Sequence, residues 1–170
     1  ISRRKPDPRR VQAAHAIATK DPKETDPTTW AFSKEIVLLN ALMEKSVTAD
    51  VEVQAIQVGP AVFLTSPGEM FCEYQLDEKK RSPFPFTFCV SVANGFNGYI
   101  PTPEAFMPAG GGYETRLTSC SNLEPGAGQK IVDTGVEMAS RMTPGQVPRR
   151  AAAPPFRQAW SYGNVPAELN

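Results

Sequence analysis

Two oxygen-bearing side chains, the Glu69 carboxylate and the Tyr99 phenol, are placed so that they can face one pocket. Glu69 ends Ser66-Pro67-Gly68-Glu69, directly after the apolar run 61–65. Tyr99 ends Asn94-Gly95-Phe96-Asn97-Gly98-Tyr99, directly after a second apolar run, 86–93. If the two runs are parallel strands joined by a helix, their carboxyl ends share one sheet edge, where α/β sheets place ligands. A structural account is open for each residue. Ser66-Pro67-Gly68-Glu69 fits a capping box, with Ser66 as N-cap, Pro67 at the first helical position and Glu69 folding back on the Ser66 amide. Tyr99 can simply pack against the sheet edge.

The other reactive side chains suggest less. His15 is the single histidine and sits in a helical stretch, which fits a surface or packing role. With that histidine alone, no nucleophilic triad can be completed. Cys72, Cys89 and Cys120 lack metal-type spacing. Cys72 falls on an apolar helix face and Cys89 inside a strand, so both read as buried small hydrophobes. Gly110-Gly111-Gly112 lacks the lysine and Ser/Thr of a phosphate-binding loop. Tyr113-Glu114 is a polar loop pair without an assigned role.

The elements that must position Glu69 and Tyr99 follow from periodicity and turn chemistry. Strands are expected near 51–58, 61–65 and 86–93, and helices near 28–45, 70–81 and 127–141. The alternation of Val51 to Val58 predicts one inward and one wet face, in a hairpin with 61–65 through Gly59-Pro60. Asp7-Pro8 and Asp26-Pro27 are helix starts, and Thr102-Pro103 predicts a short helical turn. Residues 20–25 read as a polar loop and residues 1–6 as a loose end. The fold class is α/β: a mixed sheet with a parallel strand-helix-strand unit flanked by helices, plus an irregular Pro-rich carboxyl-terminal tail. The domain spans 1–142 and the tail 143–170, where Phe156, Trp160 and Tyr162 can anchor it on this domain or on a partner.

Charge narrows the partners. Lys+Arg and Asp+Glu both number 18, which gives no footprint for nucleic acid or an anionic membrane. Arg3-Arg4-Lys5 and Arg9-Arg10 read as a solvated end, with a binding arm as the alternative. No apolar run spans a bilayer, so no transmembrane segment is expected. The chain begins at Ile1, so the lack of a signal-peptide pattern says nothing about compartment.

Several motifs together resemble a known family. They are Gln54-Ala55-Ile56-Gln57-Val58-Gly59, Pro67-Gly68-Glu69, and Val92-Ala93-Asn94-Gly95-Phe96-Asn97-Gly98-Tyr99-Ile100-Pro101-Thr102, continued by Glu104, Phe106 and Tyr113-Glu114. In order and spacing, the segment 51–142 resembles the carboxyl-terminal part of the catalytic domain of neutral/alkaline, non-lysosomal ceramidases, in particular bacterial ceramidase-like proteins. The resemblance implies a zinc-dependent hydrolase of N-acyl amides, with a lipid-like substrate such as a sphingolipid. It also implies a secreted, periplasmic or cell-surface setting. In that family one zinc is held by two histidines, one glutamate and one tyrosine. By position, Glu69 resembles the glutamate ligand, and Tyr99 resembles the tyrosine, which is both metal ligand and catalytic residue. The chain departs from the family in three respects. The family's two histidines lie upstream and have no counterpart here, Phe96 stands where many ceramidases have tyrosine, and 107–112 is unusually glycine-rich. The resemblance therefore implies half of a zinc site, with the histidines supplied by an upstream segment or companion chain. The alternative is a catalytically inactive ceramidase-like structural or interaction module in an assembly.

Overall fold

In the computed structural model, residues 1–153 and Glu168 are described. Phe156, Trp160 and Tyr162, the expected anchors of the tail, lie outside the described residues. Helices α1 (Pro8–Ala18) and α2 (Pro27–Lys45) form an amino-terminal pair. Both start as their sequences predict. The Asp7 carboxylate accepts from the Arg9 amide at 2.7 Å and the Asp26 carboxylate from the Thr29 amide at 2.7 Å, with proline next in each case. Ala14, Ile36, Leu39 and Leu117 form the core between the pair and the following loops. The expected loop at 20–25 contains one 3-10 turn, Pro22–Glu24, capped by Asp21.

The sheet is built from β1 (Ala55–Val58), β2 (Ala61–Thr65) and β4 (Phe86–Val90), in the order β1-β2-β4. β1 and β2 form the antiparallel hairpin, with Val58 opposite Ala61 and Ala55 opposite Leu64. β2 and β4 are parallel, from Ala61↔Phe86 to Thr65↔Val90. Helix α3 (Cys72–Arg81) makes the crossover between them, and α4 (Ala127–Ser140) packs beside it. The fold is thus the expected mixed α/β arrangement with a parallel strand-helix-strand unit. Val62 and Leu64, at 0% and 1% exposure, point into the helical layer with Phe84 and Ala139. A second core joins Tyr74 to Ile100, Leu123, Ile131 and Val132. Gly128 lets α4 close onto α3, because a Cβ there would lie 2.2 Å from the Tyr74 ring. The Tyr74 hydroxyl donates to the Pro101 carbonyl at 3.2 Å, which ties α3 to the segment after Tyr99.

Glu78, on the same helix, is only 4% exposed. Burial raises its carboxyl above the usual range. It faces Cys89 on the inner side of β4, whose thiol is pushed up to about 12 by burial and by the hydrogen bond and charge of Glu78. Cys89 is half-buried and unreactive in character, as its strand position suggested. Cys72 is not buried: it is exposed in the first turn of α3, because the helix turns its apolar side elsewhere.

The structure revises three further expectations. The wet face of β1 is the apolar one. Pairing with β2 sets the pleat, so Ile56 and Val58 share the outward face with Phe86, Phe88 and Val90 while Gln57 lies on the helical side. Phe63 and Phe88 stack on that outward face at 4.9 Å. The Gln57 Nε2 donates to the Thr143 carbonyl at 2.8 Å and the Gly145 amide to Gly59 at 3.0 Å, so the chain leaving α4 meets the hairpin tip. Next, residues 1–6 are not a loose end. The Arg3 amide donates to Val47, the Arg4 amide to Asn122 and the Ala49 amide to Ile1, stitching this segment between two distant loops. The Arg4 guanidinium donates to the carbonyls of Leu123, Thr115 and Ser121 at 3.0, 3.0 and 2.9 Å. Arg4 is therefore an internal tie rather than part of a solvated arm, whereas Arg9 and Arg10 are exposed. Finally, α3 begins at Cys72 rather than at 70, because Glu69 and Met70 belong to a further strand. No helix among the described residues is long and apolar enough to cross a membrane.

A candidate metal half-site between two short strands

Beyond Thr65 and Val90 the chain continues as two loops that bond to each other. The Ser66 amide donates to Val90, Ala93 to Ser66, Val92 to Gly68 and Asn97 to Pro67. These bonds carry the β2–β4 pairing onward into β3 (Glu69–Met70) and β5 (Tyr99–Ile100), which are parallel. The Glu69 amide donates to the Gly98 carbonyl at 2.8 Å, and Glu69 lies in register with Tyr99. The capping-box account therefore fails. The Ser66 hydroxyl donates to the Gly68 carbonyl at 3.2 Å, Glu69 is in a strand, and the N-cap of α3 is Phe71. The local spacing suits a cap, but long-range pairing with 98–100 captures the segment first.

Two glycines permit this approach. A Cβ on Gly68 would lie 2.5 Å from Ile100 Cδ1. Gly98 has φ +62°, and a Cβ there would lie 2.2 Å from Ser121 Oγ. That serine hydroxyl accepts the Tyr99 amide at 2.9 Å, which fixes the start of β5.

Residues in register on adjacent parallel strands project from the same side of the sheet. Glu69 and Tyr99 both line one pocket of about 220 Å³, with Tyr113, Arg116, Phe32 and Glu35. Tyr113 meets Tyr99 edge-on at 5.8 Å and Phe32 edge-on at 5.9 Å. The Tyr99 phenol is pushed above its ordinary value, first by the charge of Glu69, then by burial and by the charges of Tyr113 and Glu114. A hydrogen bond with Glu69 acts in the same direction. Tyr99 is thus held as a neutral hydroxyl that can donate, beside a carboxylate that can accept. The loop pair Tyr113-Glu114 acquires a place at this site through a one-turn 3-10 helix, Tyr113–Thr115.

Sequence reasoning missed Phe32, Glu35 and Arg116. Phe32 and Glu35 are one turn apart on α2, so they share a helix side, but nothing local to α2 shows that this side meets the loop after Tyr113. The Arg116 guanidinium carbon lies 3.1 Å from the centre of the Phe32 ring. Glu35 Oε2 accepts the Ser119 amide at 2.9 Å and its hydroxyl at 2.5 Å. His15 is exposed on α1 and does not line the pocket.

A four-coordinate zinc needs more than this chain shows. A carboxylate and a phenol on one side of a pocket fit two of the four positions. Among the described residues no group of three or more His, Cys, Asp or Glu could hold a metal ion. Neither known protein families, nor curated proteins, nor solved structures match the chain. The ceramidase-like motifs between Gln54 and Glu114 are thus the sole basis of that resemblance.

Proposed function

We propose that this chain is part of a zinc-dependent amide hydrolase resembling neutral ceramidases, and that it contributes Glu69 and Tyr99 to a site completed by two histidines from outside the chain. The observation that carries the reading is the register of β3 and β5, which sets a carboxylate and a protonated phenol side by side in one pocket. When bound, zinc supplies an activated water and polarises an amide carbonyl. In this reading Glu69 contributes an anionic oxygen ligand. Tyr99, in register with Glu69, would serve as the fourth ligand or donate its O–H to the carbonyl oxygen as charge develops there. Phe32 and Tyr113 form an aromatic wall of the pocket. The substrate class is an N-acyl compound, with a sphingolipid as one member.

The test uses the complete protein. Glu69→Gln should lower its zinc content, measured by atomic emission, and abolish hydrolysis of N-acyl substrates while its circular dichroism stays the same. Zinc content equal to wild type refutes the ligand role of Glu69. A second reading, an inactive ceramidase-like module held in an assembly, is favoured by the outward sheet face, where Ile56, Val58, Phe86 and Phe88 are 51%, 61%, 45% and 49% exposed. Contiguous apolar surface of this kind marks interaction sites. Stoichiometric zinc without hydrolysis would support that alternative.

A further inference from the structure

The Glu69–Tyr99 pocket contains one cation whose function the hydrolase reading leaves unassigned. Arg116 is half-buried, and its guanidinium lies flat against Phe32, with its carbon 3.1 Å from the ring centre. Among the described residues its side chain forms no salt bridge and no hydrogen bond, and only its backbone amide is engaged, with Tyr113. Of the two carboxylates that line the same pocket, Glu35 holds Ser119, and Glu69 lies in register with Tyr99. Stacking uses the face of a guanidinium and leaves its N–H edge free, in the planar fork that matches a carboxylate through two parallel bonds. An aromatic partner also offsets part of the cost of removing this cation from water.

We propose that Arg116 is the anchor for an anionic group of the ligand, so that the pocket takes N-acyl compounds bearing a carboxylate beside the amide, as in an N-acyl amino acid, in preference to neutral amides. The reaction part of this inference rests on the hydrolase reading of the same site; the binding part does not. Glu69 and Glu35 both oppose an anion in the bare pocket, and a divalent cation at Glu69 would offset that effect. Anion affinity should therefore rise when zinc is bound.

The experiment compares N-hexanoylglycine with N-hexanoylglycinamide, which differ only in the charge at one end. Binding to the complete protein is measured by calorimetry, with and without zinc. Wild type should prefer the acid by ~10-fold or more, as expected for a charge-assisted bidentate contact. Arg116→Gln should remove that preference and leave amide binding within about twofold, and Arg116→Lys, which keeps the charge without the fork, should restore it in part. Equal affinities for acid and amide in wild type overturn the proposal without any variant. Equal loss for both ligands in Arg116→Gln also overturns it, since Arg116 would then only support Phe32. Zinc content unaffected by Glu69→Gln, together with an intact acid preference, would sink the hydrolase reading and leave the anion site standing.

Discussion

Gly98 is the residue on which the site's geometry turns, and replacing it with alanine gives a graded test of that statement. Its φ of +62° places it in the left-handed region, where any L side chain costs about 1–2 kcal/mol. A methyl group there would also meet Ser121 Oγ at 2.2 Å and the carbonyl carbon and oxygen of Cys120 at 2.9 Å. The serine hydroxyl can rotate away only by releasing the Tyr99 amide, and the Cys120 backbone cannot rotate away at all. Overpacking of this kind costs about 1–3 kcal/mol, so Gly98→Ala should destabilise by about 2–5 kcal/mol in total. Gly59 is the control. It has φ +56°, and a methyl group there would meet no atom within 4 Å, so Gly59→Ala carries the backbone cost alone. Urea unfolding of the purified chain, followed by circular dichroism, reads both variants. With a urea slope of ~1–3 kcal/mol/M, the steric difference moves the Gly98→Ala midpoint ~1 M below that of Gly59→Ala. Coincident midpoints would refute the close approach of β5 to the Cys120–Ser121 segment, and with it the positioning of Tyr99 beside Glu69.

Two other substitutions test the ties that hold the scaffold together. Arg4→Ala leaves three carbonyls, of Leu123, Thr115 and Ser121, without their donor, and the same urea titration should show a loss of about 2–4 kcal/mol; a loss under about 0.5 kcal/mol, the level of an ordinary surface change, would mean that residues 1–6 do not dock. The buried Glu78 carboxyl is raised in the folded state, so the fold binds its proton more tightly than the unfolded chain does. Its contribution is fully favourable below the ordinary carboxylate range and is lost as pH rises through the raised value. Midpoints measured from mildly acidic to neutral pH should therefore fall for wild type and stay flatter for Glu78→Gln, which should be the more stable of the two at neutral pH; parallel profiles would contradict the burial of the charge.

Much of the scaffold is legible in the sequence, because local signals and tertiary structure agree there. Asp7-Pro8 and Asp26-Pro27 start helices as capping chemistry requires. The two apolar runs around an amphipathic stretch give the parallel β2–α3–β4 unit, and Gly59-Pro60 gives the hairpin. Where distant residues decide, local reading fails. Residues 66–69 carry the spacing of a cap, yet their amides and carbonyls are taken by 90–98. Residues 1–6 are mostly polar and end in proline, and nothing nearby shows that Val47, Ala49 and Asn122 pair with them. That Glu69 and Tyr99 share one sheet edge follows from their places after two parallel strands, whereas Arg116 and Phe32 reach the pocket through contacts between elements far apart in the chain.

The pairing of β3 with β5 has a consequence for how the chain can change in length. A strand presents its side chains on alternate sides, so the side on which each donor projects is a two-valued quantity. Removing one residue between Val90 and Tyr99, with pairing re-formed in the next register, sends one donor to the opposite side of the sheet. Removing two restores the side but displaces the side chain by ~6.6 Å along its strand, out of reach of its partner. Of the neighbouring registers, only the observed one sets the two oxygens abreast. The number of residues in the loop 91–98 is therefore as much a part of the site as Glu69 and Tyr99 themselves.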